Sequence, residues 1–358
     1  MKTEHAINFT DSRRMTAVAD DSIDLVVTSP PYPMIEMWDE VFADMDPDVS
    51  TLLAETDGPA AFKAMHRLLD PVWQECFRIL KPGGFACINI GDATRTIDGH
   101  FALYTNHARV LSVTRKIGFT SLPCIIWRKQ INVPTKFMGS GMLPAGAYVT
   151  LEHEYILILR KHGKREFNTA EDKQRRRESA IFWEERNHWF SDIWFDLKGT
   201  GQTLADAQER RRSAAFPFEL AYRLINMFSV KGDRVMDPFI GTGTTTAAAI
   251  AAGRSSMGYD TDTRLIPAIQ RAVRGVMVLA GQVTARRLAR HQQFVEQRTA
   301  AGKPLKHMND PYGFPVITRQ EKFLQLSVPV ELIQTDEARF QVSHGMAQIP
   351  FKYSLFDD

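Results

Sequence analysis

Short apolar, β-branched runs recur along the chain, each ending at a polar, Gly or Pro residue: IDLVV (23–27), FACINI (85–90), PCIIW (123–127), YILIL (155–159) and DRVMD (233–237). Runs that are apolar without alternation are buried on both faces, so they predict the strands of a mostly parallel sheet. Between them the spacing changes to three and four residues, as in Trp73, Cys76, Phe77 and Leu80 of the stretch from Pro71 to the KPGG stop at 81–84. That spacing predicts helices. The alternation as a whole predicts an α/β, doubly wound fold with helices on both faces of the sheet.

From about Gln130 to Ser213 the pattern loosens into Gly, Pro, charge and isolated aromatics, including MGSGMLPAG (138–146), RKHGKRE (160–166) and KQRRRE (173–178). The expected organisation is a catalytic domain formed by 1–132 and 213–275, an inserted recognition region at 133–212, and a helical and mixed C-terminal extension at 276–358. Order returns with PFELAYRLINMF (217–228), which runs into DPFIGTGTTTAAAIAAG (237–253) and a predicted strand, SSMGYD (255–260).

Composition adds bounds. With 358 residues, 44% of them hydrophobic, the chain can bury at least one full core. A net charge of +2 means that any nucleic-acid contact must come from local patches. Cys76, Cys87 and Cys124 are too far apart for a metal clip or a disulfide framework, which predicts core cysteines, no metal and a reduced, cytoplasmic setting. The polar N-terminus lacks a signal-peptide core and no apolar run is of membrane-spanning length, so no membrane association is expected. The stretch Glu36–Asp57 contains no Lys or Arg and reads as a solvated acidic surface.

Two loops carry candidate chemistry. DRVMDPFIGTGTTTAAA reads as strand, Gly turn and helix N-terminus, which brings main-chain amides close to a nucleotide-like ligand. Gly241 and Gly243 make room, and Phe239 is either a core aromatic or packs beside the ligand. No GK[ST] follows, which disfavours nucleoside-triphosphate hydrolysis. Asp237, at a strand end, suits a cationic amine, and Asp260, at the end of the next strand, suits ribose hydroxyls. Together these describe S-adenosyl-L-methionine better than a dinucleotide. The second loop, TSPPYP (28–33), follows the strand IDLVV. Its prolines hold the chain extended, so Ser29, the Pro30 carbonyl and Tyr32 form a small amine-accepting site with an aromatic wall, the alternative being a Pro-rich turn.

TSPPY with DPFIGTGTT resembles the exocyclic-amino DNA methyltransferases in their permuted β arrangement, with the catalytic loop about two hundred residues before the cofactor loop. The likeness extends to AINFTDSRRM near Asp11, IIWRK (125–129) and FPFELAYRLI (216–225), and so covers roughly residues 6–270. It implies a Rossmann-like, S-adenosylmethionine-dependent methyltransferase fold, with Ser29, Pro30, Pro31 and Tyr32 holding the target amine. The cofactor residues implied are Asp11, Pro217, Phe218, Asp237, Pro238, Phe239, Gly241, Gly243, Thr244 and Asp260. Ser at the head of the tetrad implies cytosine N4 in duplex DNA, reached by base flipping and methylated by direct displacement without a covalent intermediate.

The setting implied is restriction-modification, with an endonuclease that acts on the same site and a monomer or homodimer. The alternatives are adenine-N6 methylation and a non-catalytic DNA-binding protein of the same fold. A discontinuous basic face is expected to meet phosphate: Arg128, Lys129, Lys136, Lys161, Lys164, Arg165, Arg175, Arg176 and Arg177, with Arg210–Arg212 beyond them.

Overall fold

The computed structural model describes residues 1–129, 138–197 and 216–348. In chain order the main elements begin with β1 (Lys2–Phe9), β2 (Ile23–Thr28), α1 (Gly58–Ile79), β3 (Leu80–Ile90), α2 (Asn106–Ile117) and β4 (Ile125–Arg128). They continue with β5 (His153–Lys161), α3 (Ala170–Glu178), α4 (Trp183–Trp189), β6 (Ile193–Trp194), α5 (Phe218–Phe228) and β7 (Arg234–Asp237). The last are α6 (Thr244–Ala252), β8 (Ser255–Asp260), α7 (Ile266–Ala300), β9 (Ser327–Asp336) and β10 (Arg339–Met346). Among the described residues no helix is long and apolar enough to cross a membrane.

The strands form one sheet in the order β6-β4-β5-β3-β2-β7-β8-β1-β10-β9, with the short strand Phe119–Ser121 also paired to β5. The centre, β3-β2-β7-β8-β1, is parallel throughout. Its carboxyl ends therefore come to one edge, where open α/β sheets place their ligands. Antiparallel strands flank this centre: β5 on β3, and the β9–β10 hairpin on β1.

Alternation within the strands loads both faces. Leu25, Val27, Cys87, Ile156 and Val235 pack beneath α5, α6 and the first half of α7, while Val26, Ala86, Ile88, Leu157 and Met236 pack against α1 and α2. Helix α1 begins well before the predicted start at Pro71, because the Asp57 carboxylate caps it through the Ala60 amide at 3.0 Å. Burial of Ala61, Met65, Leu69, Val72, Trp73 and Cys76 along one face outweighs the amide that Pro71 cannot donate.

The expected partition of the chain changes. YILIL is a strand of the sheet, as its apolar run predicts, and as an interior strand, His153–Lys161, it takes these residues out of the insertion expected at 133–212. The helical and mixed C-terminal extension joins the same sheet. The hairpin β9–β10 lengthens the sheet, and α7 is continuous from 266 to 300, its second half packing with Phe182, Tyr312, Phe314 and Leu324.

Gly258 in β8 lets the loop after β7 lie on the sheet, since a Cβ there would stand 2.7–2.8 Å from Ile240 side-chain carbons. Gly258→Ala is expected to destabilise the fold by about 1–3 kcal/mol, read from the midpoint of urea unfolding.

Candidate active site

Asp237 is fully buried at the end of β7 and accepts three hydrogen bonds from its own chain. Thr28 Oγ1 at the end of β2 donates at 2.6 Å, Thr245 Oγ1 in α6 at 2.5 Å and the Phe239 amide at 3.0 Å. Its carboxylate thus clamps the Gly loop to the strand that carries TSPPY. Burial raises its pKa to about 6, against the pull of the two hydroxyls and the amide.

The loop then turns through Gly241 and Gly243, both at positive φ, and α6 starts at Thr244 with its N-terminus at the carboxyl edge. A Cβ on Gly241 would meet nothing within 4 Å, so the main chain there is open to a ligand, whereas Gly243 faces Ile269. The Gly241 amide donates to Asp260 at 3.1 Å, tying the loop to the end of β8, and burial raises the Asp260 pKa. Phe239 packs edge-on to Trp73 of α1. Pro217 caps α5, with Phe218 stacked on Tyr222. Asp11, just past β1, is held by Arg13, whose side chain and amide outweigh partial burial and keep its carboxyl below the usual range. The structure thus brings Asp11, Asp237, Pro238, Phe239, Gly241, Gly243, Thr244 and Asp260 to one edge of the sheet. The open main chain at Gly241 beside Asp260 fits the ribose side of such a ligand, whereas Asp237, expected to meet a cationic amine, is buried and taken up by Thr28, Thr245 and the Phe239 amide.

The second loop stands beside the first. Ser29 Oγ lies 2.9 Å from the Tyr32 hydroxyl, which donates to Glu154 Oε2 at 2.9 Å and accepts from Asn89 Nδ2 at 2.8 Å. Asn89 also donates to Glu154 at 2.6 Å. Burial, followed by the Glu154 carboxylate, pushes the Tyr32 phenol well above its usual range, so it stays neutral. Gly91 supports the ring, since a Cβ there would stand 3.0 Å from it. Below, the buried Asn106 amide donates to the Pro33 and Gly91 carbonyls at 3.0 and 2.9 Å and is itself oriented by His66. Pro30 and Pro31 hold the loop extended between these anchors.

Sequence reasoning missed Thr28, Thr245, Asn89, Asn106 and Glu154 as members of the site. A signal was present for two: Asn89 is the polar residue within the apolar run FACINI, and Glu154 precedes YILIL. Cys76 and Cys87 are buried and free, and burial raises both thiols.

The basic residues divide. Arg128 ends β4 at the carboxyl edge and Lys129 follows it, paired with Glu152 and Glu154 respectively. Lys161, Lys164, Arg165, Arg175, Arg176 and Arg177 are not brought there. In the mostly parallel sheet the strand β5 runs antiparallel and delivers 161–177 to the opposite, amino edge. Lys161 is buried on Asp21, and Arg165 makes a bidentate pair with Asp233 at 2.6 and 2.9 Å. The Lys164 main chain packs on Gly83 at the start of β3. Arg175 pairs with Asp172, Arg176 lies over Phe167 and Arg177 over Phe323. Lys136 and Arg210–Arg212 lie outside the described residues.

Five parallel strands, a Gly turn into a helix and a Pro-rigid amine loop at the same edge define the S-adenosylmethionine-dependent methyltransferase fold, in the order that puts the target loop first. The family model described as DNA methylase matches residues 23–271, and the chain belongs to that family of N6/N4 exocyclic-amino methyltransferases. It is 51% identical over 330 residues to the Type II methyltransferase M.MthZI of Methanothermobacter thermautotrophicus, covering 92% of each chain. It is 48% identical over 282 residues to M.MjaI of Methanocaldococcus jannaschii, covering 76% of this chain and 91% of the relative. Among solved structures it resembles the Thermus thermophilus protein TTHA0409 complexed with S-adenosyl-L-methionine, with a TM-score of 0.59 and 34% identity over 76% of this chain and 94% of that one.

Two outcomes follow from this geometry. Asp237 binds its proton more tightly folded than unfolded, so its contribution to stability is complete below about pH 4 and is lost as the pH rises through about 6. Unfolding free energies measured from pH 4 to 7 should fall relative to those of Asp237→Asn over that window. Arg165→Ala should destabilise the protein by about 1–3 kcal/mol, because Asp233 is left buried without its partner. Its affinity for duplex DNA in a filter-binding titration should stay at the parent value.

Proposed function

We propose that this chain methylates cytosine N4 in duplex DNA, with S-adenosyl-L-methionine as methyl donor and a restriction endonuclease acting on the same sequence as its counterpart. The observation that carries the reading is the serine hydroxyl at the head of the SPPY turn, set beside the cofactor loop by the Thr28–Asp237 hydrogen bond. Serine at this position accompanies cytosine N4 in the family that the motif resembles. The Type II designation of M.MthZI and M.MjaI supports the restriction-modification setting.

A base amine inside a duplex is out of reach of this edge, so the target nucleotide leaves the stack to enter it. The Tyr32 ring, backed by Gly91, offers the flipped base a wall to stack on. Ser29 Oγ and the Pro30 carbonyl accept hydrogen bonds from the amine and draw its lone pair out of conjugation with the ring. S-adenosyl-L-methionine, when bound, supplies a methyl group activated by its sulfonium. The Gly241–Gly243 turn and Asp260 hold that ligand, and Arg128 and Lys129 lie on the side from which phosphate approaches.

Incubation with unmethylated duplex DNA and radiolabelled S-adenosyl-L-methionine, followed by nucleoside chromatography, is expected to place the label in N4-methylcytosine. Label in N6-methyladenine would overturn the base assignment. Ser29→Ala is expected to lower turnover on the order of 10²-fold with cofactor affinity unchanged. Parallel loss of cofactor binding in calorimetry would remove Ser29 from the role given to it.

A further inference from the structure

We infer that Glu154 is a positioning residue: it fixes the direction of the hydrogen-bond chain that ends at Ser29, and so makes the Ser29 oxygen an obligate acceptor for the target amine. The inference rests on the proposed role of Ser29 above.

Three atoms form a closed triangle beside the SPPY turn: Tyr32 hydroxyl, Asn89 Nδ2 and Glu154 Oε2, with sides of 2.9, 2.8 and 2.6 Å. A carboxylate only accepts and an amide nitrogen only donates. The phenol proton therefore has one destination within the triangle, Glu154. The amide of Asn89 is fixed in sense as well, because turning it over would set its oxygen against the carboxylate. With its proton given to Glu154, the Tyr32 oxygen can only accept, from Asn89 and from Ser29 at 2.9 Å. The single Ser29 proton then points to Tyr32, and both of its lone pairs remain for the amine.

The chain has little slack. Glu154 is only 6% exposed, its Oε1 is ion-paired to Lys129, and a Cβ on Gly91 would meet both its Cγ and the Tyr32 ring. Without the carboxylate, Tyr32 is free to donate to Ser29. The serine hydrogen then turns towards the incoming amine, where two N–H groups need acceptors.

The test compares single-turnover methylation rates of Glu154→Gln, Tyr32→Phe, Ser29→Ala and the Ser29→Ala/Glu154→Gln double variant, with KM for S-adenosyl-L-methionine measured in each. In Glu154→Gln the amide oxygen is drawn to Lys129 and the NH2 group faces Tyr32, reversing the chain. The expected result is a rate lowered between about tenfold and 10²-fold with KM unchanged, and no further loss when Glu154→Gln is added to Ser29→Ala. Tyr32→Phe, which keeps the ring but removes the relay, should match Glu154→Gln and stands in for it if that variant does not fold. A slow Ser29→Ala enzyme with an additive Glu154→Gln effect, or a change in KM in place of the rate, would overturn this inference alone. A parent-like rate from Ser29→Ala would overturn the reading of Ser29 and this inference with it.

Discussion

A single buried carboxylate holds the two halves of the site together. Asp237 and Thr28 are 209 residues apart in sequence, yet one hydrogen bond between them joins the strand that ends in the amine loop to the strand that ends in the cofactor loop. A buried acid is costly unless its lone pairs are filled, and here two threonine hydroxyls and a main-chain amide fill them. The need to satisfy Asp237 thus helps to fix the spacing between the Gly241–Gly243 turn and the SPPY turn. Parallel neighbours β2 and β7 make this possible, since only parallel strands finish side by side at the same edge.

The amine loop is built by the same economy of buried polar groups, but with different anchors. Asn106 fastens the backbone after Tyr32 to the end of β3, and the Asn89–Glu154 pair fastens the Tyr32 hydroxyl. These residues come from α2, β3 and β5, so the loop owes its shape to three elements besides its own prolines. Rigidity of this kind suits the amine-holding role proposed for the loop.

Much of this was legible in the chain because it is local. The apolar runs mark the central strands β2, β3 and β7, SSMGYD after the Gly turn marks β8, and the Gly turn and the double proline announce both loops without reference to anything distant. What the sequence could not supply is strand direction. YILIL carries the same apolar signal whether it runs up or down, and its antiparallel course moves RKHGKRE and KQRRRE from the catalytic edge to the far one. The partners of Asp237 and Tyr32 were hidden for a related reason: a threonine, an asparagine or a glutamate at a strand end becomes part of a site only when strand order brings it there. The place of the tail in the sheet was not legible because β9 is mostly exposed and reads as mixed polarity, while its pairing depends on β10.

The position of β1 bears on how such a chain is assembled. It is synthesised before every other strand of the sheet, but its two neighbours are β8, ending at Asp260, and β10, ending at Met346. During synthesis β2 and β3 can pair early, since they lie close in sequence, whereas β1 waits for strands that come some hundreds of residues later. Closure of loops this long is slow, and an unpaired strand is exposed to wrong partners in the meantime. The polar residues Lys2, Glu4 and His5, interleaved along β1, make the waiting segment a poor template for association with other chains.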